Sequence, residues 1–253
     1  MAVVKLFGHM TVHRLGEQHR MLGHSHATSG ALAFAATATM APVAVLELVQ
    51  GPVRVSAMEL VLGTIITAGA ALLPDIDHPK GTISHSLGPV SHLLSQGVSV
   101  VSGGHRHGTH SFLFVLLAGW GTWAGQQVWG KYFTFGLIFF MLALGARALH
   151  LCPSGDSLKA YGPCVLLAGG GTLLMVRWLP DVPPWLPFAI GLGALIHVLG
   201  DCLTDKGCPL LWPLGTRIGI PLISRTGNKI ETWLLTPAMT LATIGLLYVH
   251  TVP

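Results

Sequence analysis

Charge is what this chain has least of. Asp, Glu, Lys and Arg make up only 9% of its 253 residues, where an ordinary soluble domain carries about 25%. With 51% hydrophobic residues and a mean hydropathy of +0.63, that deficit excludes a disordered chain and argues against a soluble globular enzyme. Aromatic residues are few as well, at 8%. The formal charge is only +4, and the basic residues are scattered, so no nucleic-acid partner is expected. The four cysteines, Cys152, Cys164, Cys202 and Cys208, lack C-x-x-C spacing and are expected to be reduced thiols. Ten-residue alternating strands are missing, which excludes a transmembrane β-barrel. No period of 20 to 50 residues suggests a repeat array.

What is present is a series of long, nearly uncharged segments, rich in the glycine and proline that membrane helices tolerate. Spans are expected at about 30–49, 57–74, 111–129, 133–151, 163–179, 184–203 and 234–252, each near the length that crosses about 30 Å of hydrocarbon as a helix. Segment 90–102 is too short to span and reads as an interfacial or re-entrant helix. The fold class is therefore an all-α polytopic helical bundle of about seven spans, with residues 23–253 as one transmembrane domain. Residues 1–22, polar and His-rich, read as a cytoplasmic or interfacial segment and not as a cleavable leader.

Lys and Arg fall unevenly between alternate connections. Lys5, Arg14, Arg20, Lys80, Arg106, Arg147, Lys159, Lys206, Arg217, Arg225 and Lys229 lie on one side, against Arg54, Lys131 and Arg177 on the other. Cytoplasmic connections carry the Lys/Arg excess, so the N-terminus is expected inside and the C-terminus outside.

Fourteen histidines against ten acids hint at metal chemistry. Five of the acids, Asp75, Asp77, Asp201, Asp205 and Glu231, sit at expected cytoplasmic helix ends, where a carboxylate needs a cation or hydrogen bonds to offset its desolvation. Four clusters gather there. His24-Ser25-His26 opens the first span, Asp75-Ile76-Asp77-His78 closes the second, His105-Arg106-His107-Gly108-Thr109-His110 opens the third, and His197 through Asp205 closes the sixth. His197 and Asp201 are four apart and share one helix face, with Cys202 off it. His24 and His26 compete for one place, and His107 reads as a bystander. The candidate ligands are His26, Asp75, Asp77, His78, His110, His197 and Asp201. This N/O set suits one or two divalent ions, zinc, manganese or iron.

At these clusters the chain resembles the YdjM-type family of bacterial inner-membrane, metal-dependent hydrolases. The carrying motifs are LPDIDHPK at 73–80, HRHGTHS at 105–111, IHVLGDCLTDKGCPLLWP at 196–213 and TGNKIE at 226–231. His107 departs from the pattern, standing where the family usually has glycine. The resemblance favours His26 over His24 and a functional role for Glu231. It implies a hydrolase of the bacterial inner membrane.

The expected activity is hydrolysis of a phosphoester, or an ester, of a membrane lipid or other amphiphile at the cytoplasmic face. Asp77 is expected in the catalytic set, His105 or Glu231 would move the proton, and Arg106 and Lys229 would meet the substrate anion. The alternative is a divalent-metal transporter or sensor using the same site. That reading predicts acids near mid-bilayer on several helices, whereas most of these acids lie at helix ends.

Overall fold

The computed structural model describes residues 23–40, 55–78, 83, 89–102, 107–153, 158–179, 182–220 and 229–252. Residues 23–40 form helix α1. Helix α2, Ala57–Ala70, opens on a capping box in which Ser56 Oγ accepts from the Glu59 N–H and the Glu59 carboxylate accepts from the Ser56 N–H. Glu59 is buried but answered, since Trp185 Nε1 also donates to it at 2.9 Å. After α2, Pro74 cannot continue the α pattern, and Leu73–Asp77 tightens into a 3₁₀ turn. Helix α3, Pro89–Ser102, packs on that turn. A second 3₁₀ turn, Gly108–His110, leads to Ser111, whose hydroxyl caps helix α4, Phe112–Ala148. Helices α5, Leu158–Trp178, and α6, Leu186–Cys202, follow. A π-helical turn at Glu231–Leu235 runs into α7, Thr236–Thr251. Among the described residues there is no strand run, only an isolated antiparallel bridge between Cys208 and Ile218.

Helix α4 has 37 residues, and drawn straight it would be about 55 Å long. It is not straight. Gly130, at φ 55° and ψ −134°, breaks it in a conformation that only glycine adopts readily, and the Phe133 ring folds back over Gly125. Both ends of α4 return to one end of the bundle. His110, just before it, reaches the α6 residues His197 and Asp201, and Ala148 at its close accepts a hydrogen bond from His24. The expected spans 111–129 and 133–151 are the two legs of this hairpin.

Four stretches among the described residues are long and apolar enough to cross a membrane: Ala57–Asp77, Phe112–Ala148, Lys159–Trp178 and Glu231–Thr251. Helix α6 is apolar but shorter, at 17 residues. The expected span 30–49 is helical through residue 40, and its remainder lies outside the described residues, as does the whole segment 1–22. The core lies between α2, the second leg of α4 and α6, with Ile66, Met141, Leu142, Trp185 and Ile190 sealed inside. The other faces expose Leu116, Trp120, Leu166, Trp178, Leu241 and Val249. That is too much apolar surface for water and the surface hydrocarbon requires. The protein is an all-α membrane protein.

Candidate metal centre

Three ends converge on one buried point: the 3₁₀ turn after α2, the 3₁₀ turn before α4 and the last turn of α6. Gly193 lets α6 come close enough. A Cβ there would lie 2.7 Å from Thr67 O, Ala71 N and Ala70 Cβ, so only glycine permits this approach. The approach carries His197 onto the buried C-terminal end of α2, where its Nδ1 donates to the Ala71 carbonyl at 2.7 Å. The proton is thus on Nδ1, and Nε2 presents a lone pair to the centre.

His110 is set the same way by a longer relay. Thr109 Oγ1 donates to Asp77 Oδ2 at 2.6 Å, so its oxygen accepts from His110 Nδ1 at 3.0 Å. His110 Nε2 then also presents a lone pair, 3.3 Å from that of His197. Two lone pairs facing each other at that distance repel unless a proton or a cation lies between them. Carboxylates stand on both sides. Asp75 Oδ1 is 3.5 Å from His110 Nε2 and 3.7 Å from His197 Nε2. Asp201 Oδ2 is 3.5 and 3.8 Å from the same two atoms. Two carboxylates around two lone pairs make a field that favours a cation.

The spacing suits a metal. With metal–ligand bonds of about 2.0–2.1 Å, a tetrahedral site has ligand–ligand edges of about 3.3–3.4 Å. The five distances above lie at or slightly beyond that edge. Asp75, His110 and His197 form one group able to hold an ion, and His26, His197 and Asp201 form a second. Asp201 joins them, because its other oxygen, Oδ1, is 3.5 Å from His26 Nε2. The His26 ring stacks on that of His197, with centroids 3.9 Å apart. His26 lies before the first expected span. Burial disfavours its charged form, yet Asp201 beside it, with Asp75 and Glu231 beyond, raises its pKa above the ordinary histidine value. The rings of His110 and His197 and the Asp201 side chain are sealed, whereas the Asp75 side chain is 25% exposed, so the way in passes Asp75.

Comparison with known proteins agrees with the membrane architecture. Over residues 21–167 and 157–252 the sequence matches the family described as YdjM inner membrane protein. The chain belongs to the YdjM family. Two relatives, each called Inner membrane protein YdjM, come from Escherichia coli (strain K12) and Shigella flexneri; each is 29% identical over 213 residues, covering 84% of this chain and 75% of the relative. No solved structure matches. YdjM membership places the chain in the bacterial inner membrane, and the chemistry rests on the buried cluster.

The remaining candidate residues of this YdjM chain fall into three positions. Asp77, wholly buried, sits behind Thr109 and belongs to neither ion-holding group. His78 closes the 3₁₀ turn with its backbone N–H on the Asp75 carbonyl, and it too is outside both groups. Glu231 is buried at the start of the π-helical turn, near enough for its charge to act on His26, while Lys229 is exposed two residues earlier. His105 and Arg106 lie outside the described residues. Between the competing histidines the structure turns His26 to Asp201 and His24 away to Ala148. His107 is exposed. Sequence reasoning missed two contributors. Thr109 stands inside the HRHGTHS motif, so its place was visible although its relay role was not. The Ala71 carbonyl has no signal in a sequence.

Proposed function

We propose that this protein is a metal-dependent hydrolase of the inner membrane, cleaving a phosphoester of a lipid or other amphiphile at the cytoplasmic face. The observation that carries the reading is the pair of imidazole lone pairs held face to face between two carboxylates. Asp75, His110, His197 and Asp201 hold the ion, and His26 with the second oxygen of Asp201 extends the site towards Glu231. Asp77 acts through Thr109, keeping His110 in the ligating tautomer. A divalent ion bound there supplies Lewis-acid activation of water and of a phosphoryl oxygen.

The rest falls to the protein. In hydrolysis the water oxygen bonds to phosphorus, the phosphorus–alcohol oxygen bond breaks, and a proton from the water ends on the departing alcohol. Glu231, buried and near enough for its charge to act on His26, would carry that proton, with His105 as the other candidate carrier. Arg106 and Lys229 supply cations for the phosphate. The Lys/Arg excess on the connections at this end supports the cytoplasmic orientation, and the position of the ligands at helix ends supports a substrate at headgroup depth.

The test is elemental analysis of the detergent-purified protein, followed by hydrolysis of labelled phospholipids with added Mn²⁺ or Zn²⁺. Asp201→Asn is expected to lose both bound metal and activity. Metal uptake by proteoliposomes without any hydrolysis would instead support a transporter.

A further inference from the structure

A cavity of about 400 Å³ lies between the first turn of α1 and α7. One wall carries His24 and His150. The other carries Thr232, Thr236 and Thr240, four residues apart and therefore one stripe of hydroxyls, with Pro237 and Leu241 forming an apolar stripe next to it. Among the described residues no Asp, Glu, Lys or Arg lines it. His24 and Thr232 are close neighbours in sequence of His26 and Glu231, so the cavity and the metal centre share two segments of chain.

The polar groups are committed in a way that shapes what fits. His24 donates from Nδ1 to Ala148 O at 2.7 Å, so in the neutral ring its Nε2 is an acceptor. Thr240 donates to Thr236 O at 2.9 Å, leaving its oxygen as an acceptor. Ser25 and Thr236 share a hydrogen bond at 3.1 Å across the mouth between the two helices. His150 is the one non-glycine residue with positive φ among the described residues, at 58°. It occupies the left-handed position after a helix end that glycine usually takes, and its ring lies 4.7 Å from that of His24.

Among the described lining residues a phosphate or carboxylate meets no Lys or Arg and an ammonium meets no Asp or Glu, so desolvation disfavours charged groups here. A hydroxyl-bearing group finds acceptors on two sides and apolar surface for its chain. We infer that the cavity binds a neutral lipid alcohol, a diglyceride or long-chain alkanol. Building on the hydrolase reading above, this is the free alcohol released once the phosphoester has been cleaved at the metal centre.

The test uses the full-length protein in detergent and a diazirine derivative of hexadecanol as photoprobe, with the label mapped by mass spectrometry. The label is expected on the segment from Thr232 to Leu241, displaced by dioleoylglycerol but not by dioleoylphosphatidate. Thr240→Trp, which fills the cavity, is expected to abolish it, and Asp201→Asn to leave it intact. His150→Gly keeps the left-handed turn and removes the ring, so it is expected to weaken labelling in a protein that melts no lower than the parent. Labelling spread over the lipid-facing helices and indifferent to Thr240→Trp and His150→Gly would overturn the inference, as would equal displacement by phosphatidate. Failure of hydrolysis with specific labelling intact would remove the reaction and leave the cavity's ligand standing. The reverse result would do the opposite.

Discussion

At the scale of single residues, the centre depends on where two protons sit. Ala71 holds one on His197 Nδ1, and Thr109 holds the other on His110 Nδ1 by passing its own to Asp77. Thr109→Val keeps the side-chain volume and removes the relay. Metal affinity is expected to fall by about 10–100-fold, the usual effect of losing a partner that orients a ligand, while Thr109→Ser keeps most of it. A chelator-competition titration measures both. If Val and the parent bind metal equally, His110 is not set by this relay. Asp77→Asn is expected to weaken binding by a similar factor, because an amide can donate to Thr109 and reverse the chain of hydrogen bonds.

At the scale of helices, two glycines do different work. Gly193 sits where α6 meets the end of α2, directly under the Ala71–His197 contact. Gly193→Val forces those helices apart, and the resulting overpacking is expected to destabilise the bundle by about 1–3 kcal/mol and to lower metal affinity with it. Gly130 sits at the far tip of the α4 hairpin. Gly130→Ala strains the turn, with an expected loss of about 1–3 kcal/mol, yet it leaves metal affinity unchanged. Thermal melts paired with metal titrations separate the two, and equal loss of metal in both variants would mean that the centre is not controlled by the α2–α6 approach.

At the scale of the whole molecule, the membrane decides the exterior and the buried His/Asp cluster decides one end. Because an ion held by this cluster would bind only the folded arrangement of four separate segments, stripping metal with a chelator is expected to lower the melting temperature, and adding Mn²⁺ or Zn²⁺ to restore it. Orientation is checked with a membrane-impermeant maleimide in a background lacking the four native cysteines. Lys131→Cys is expected to label in intact spheroplasts, and Lys206→Cys only after permeabilisation. The opposite pattern would put the candidate centre on the outer face and end the proposal of a cytoplasmic substrate.

Much of this was legible in one dimension. Hydropathy is a property of a stretch, so the apolar segments from 57 to 252 could be read directly, including the two legs on either side of Gly130 that a count of helices alone would merge. The motifs were legible because metal-binding side chains at helix ends are rare in so uncharged a chain. Contact geometry was not. His24 and His26 are two apart on a helix and point in nearly opposite directions, so only packing decided that His26 turns to Asp201. Asp75 and Asp77 are equivalent on paper, and the tightness of the 3₁₀ turn sent one to the imidazoles and the other to Thr109. Spacing along the chain announced the candidate residues. The meeting of α2, α4 and α6 chose their partners, because a lone pair acquires its direction from a neighbour that can be more than a hundred residues away.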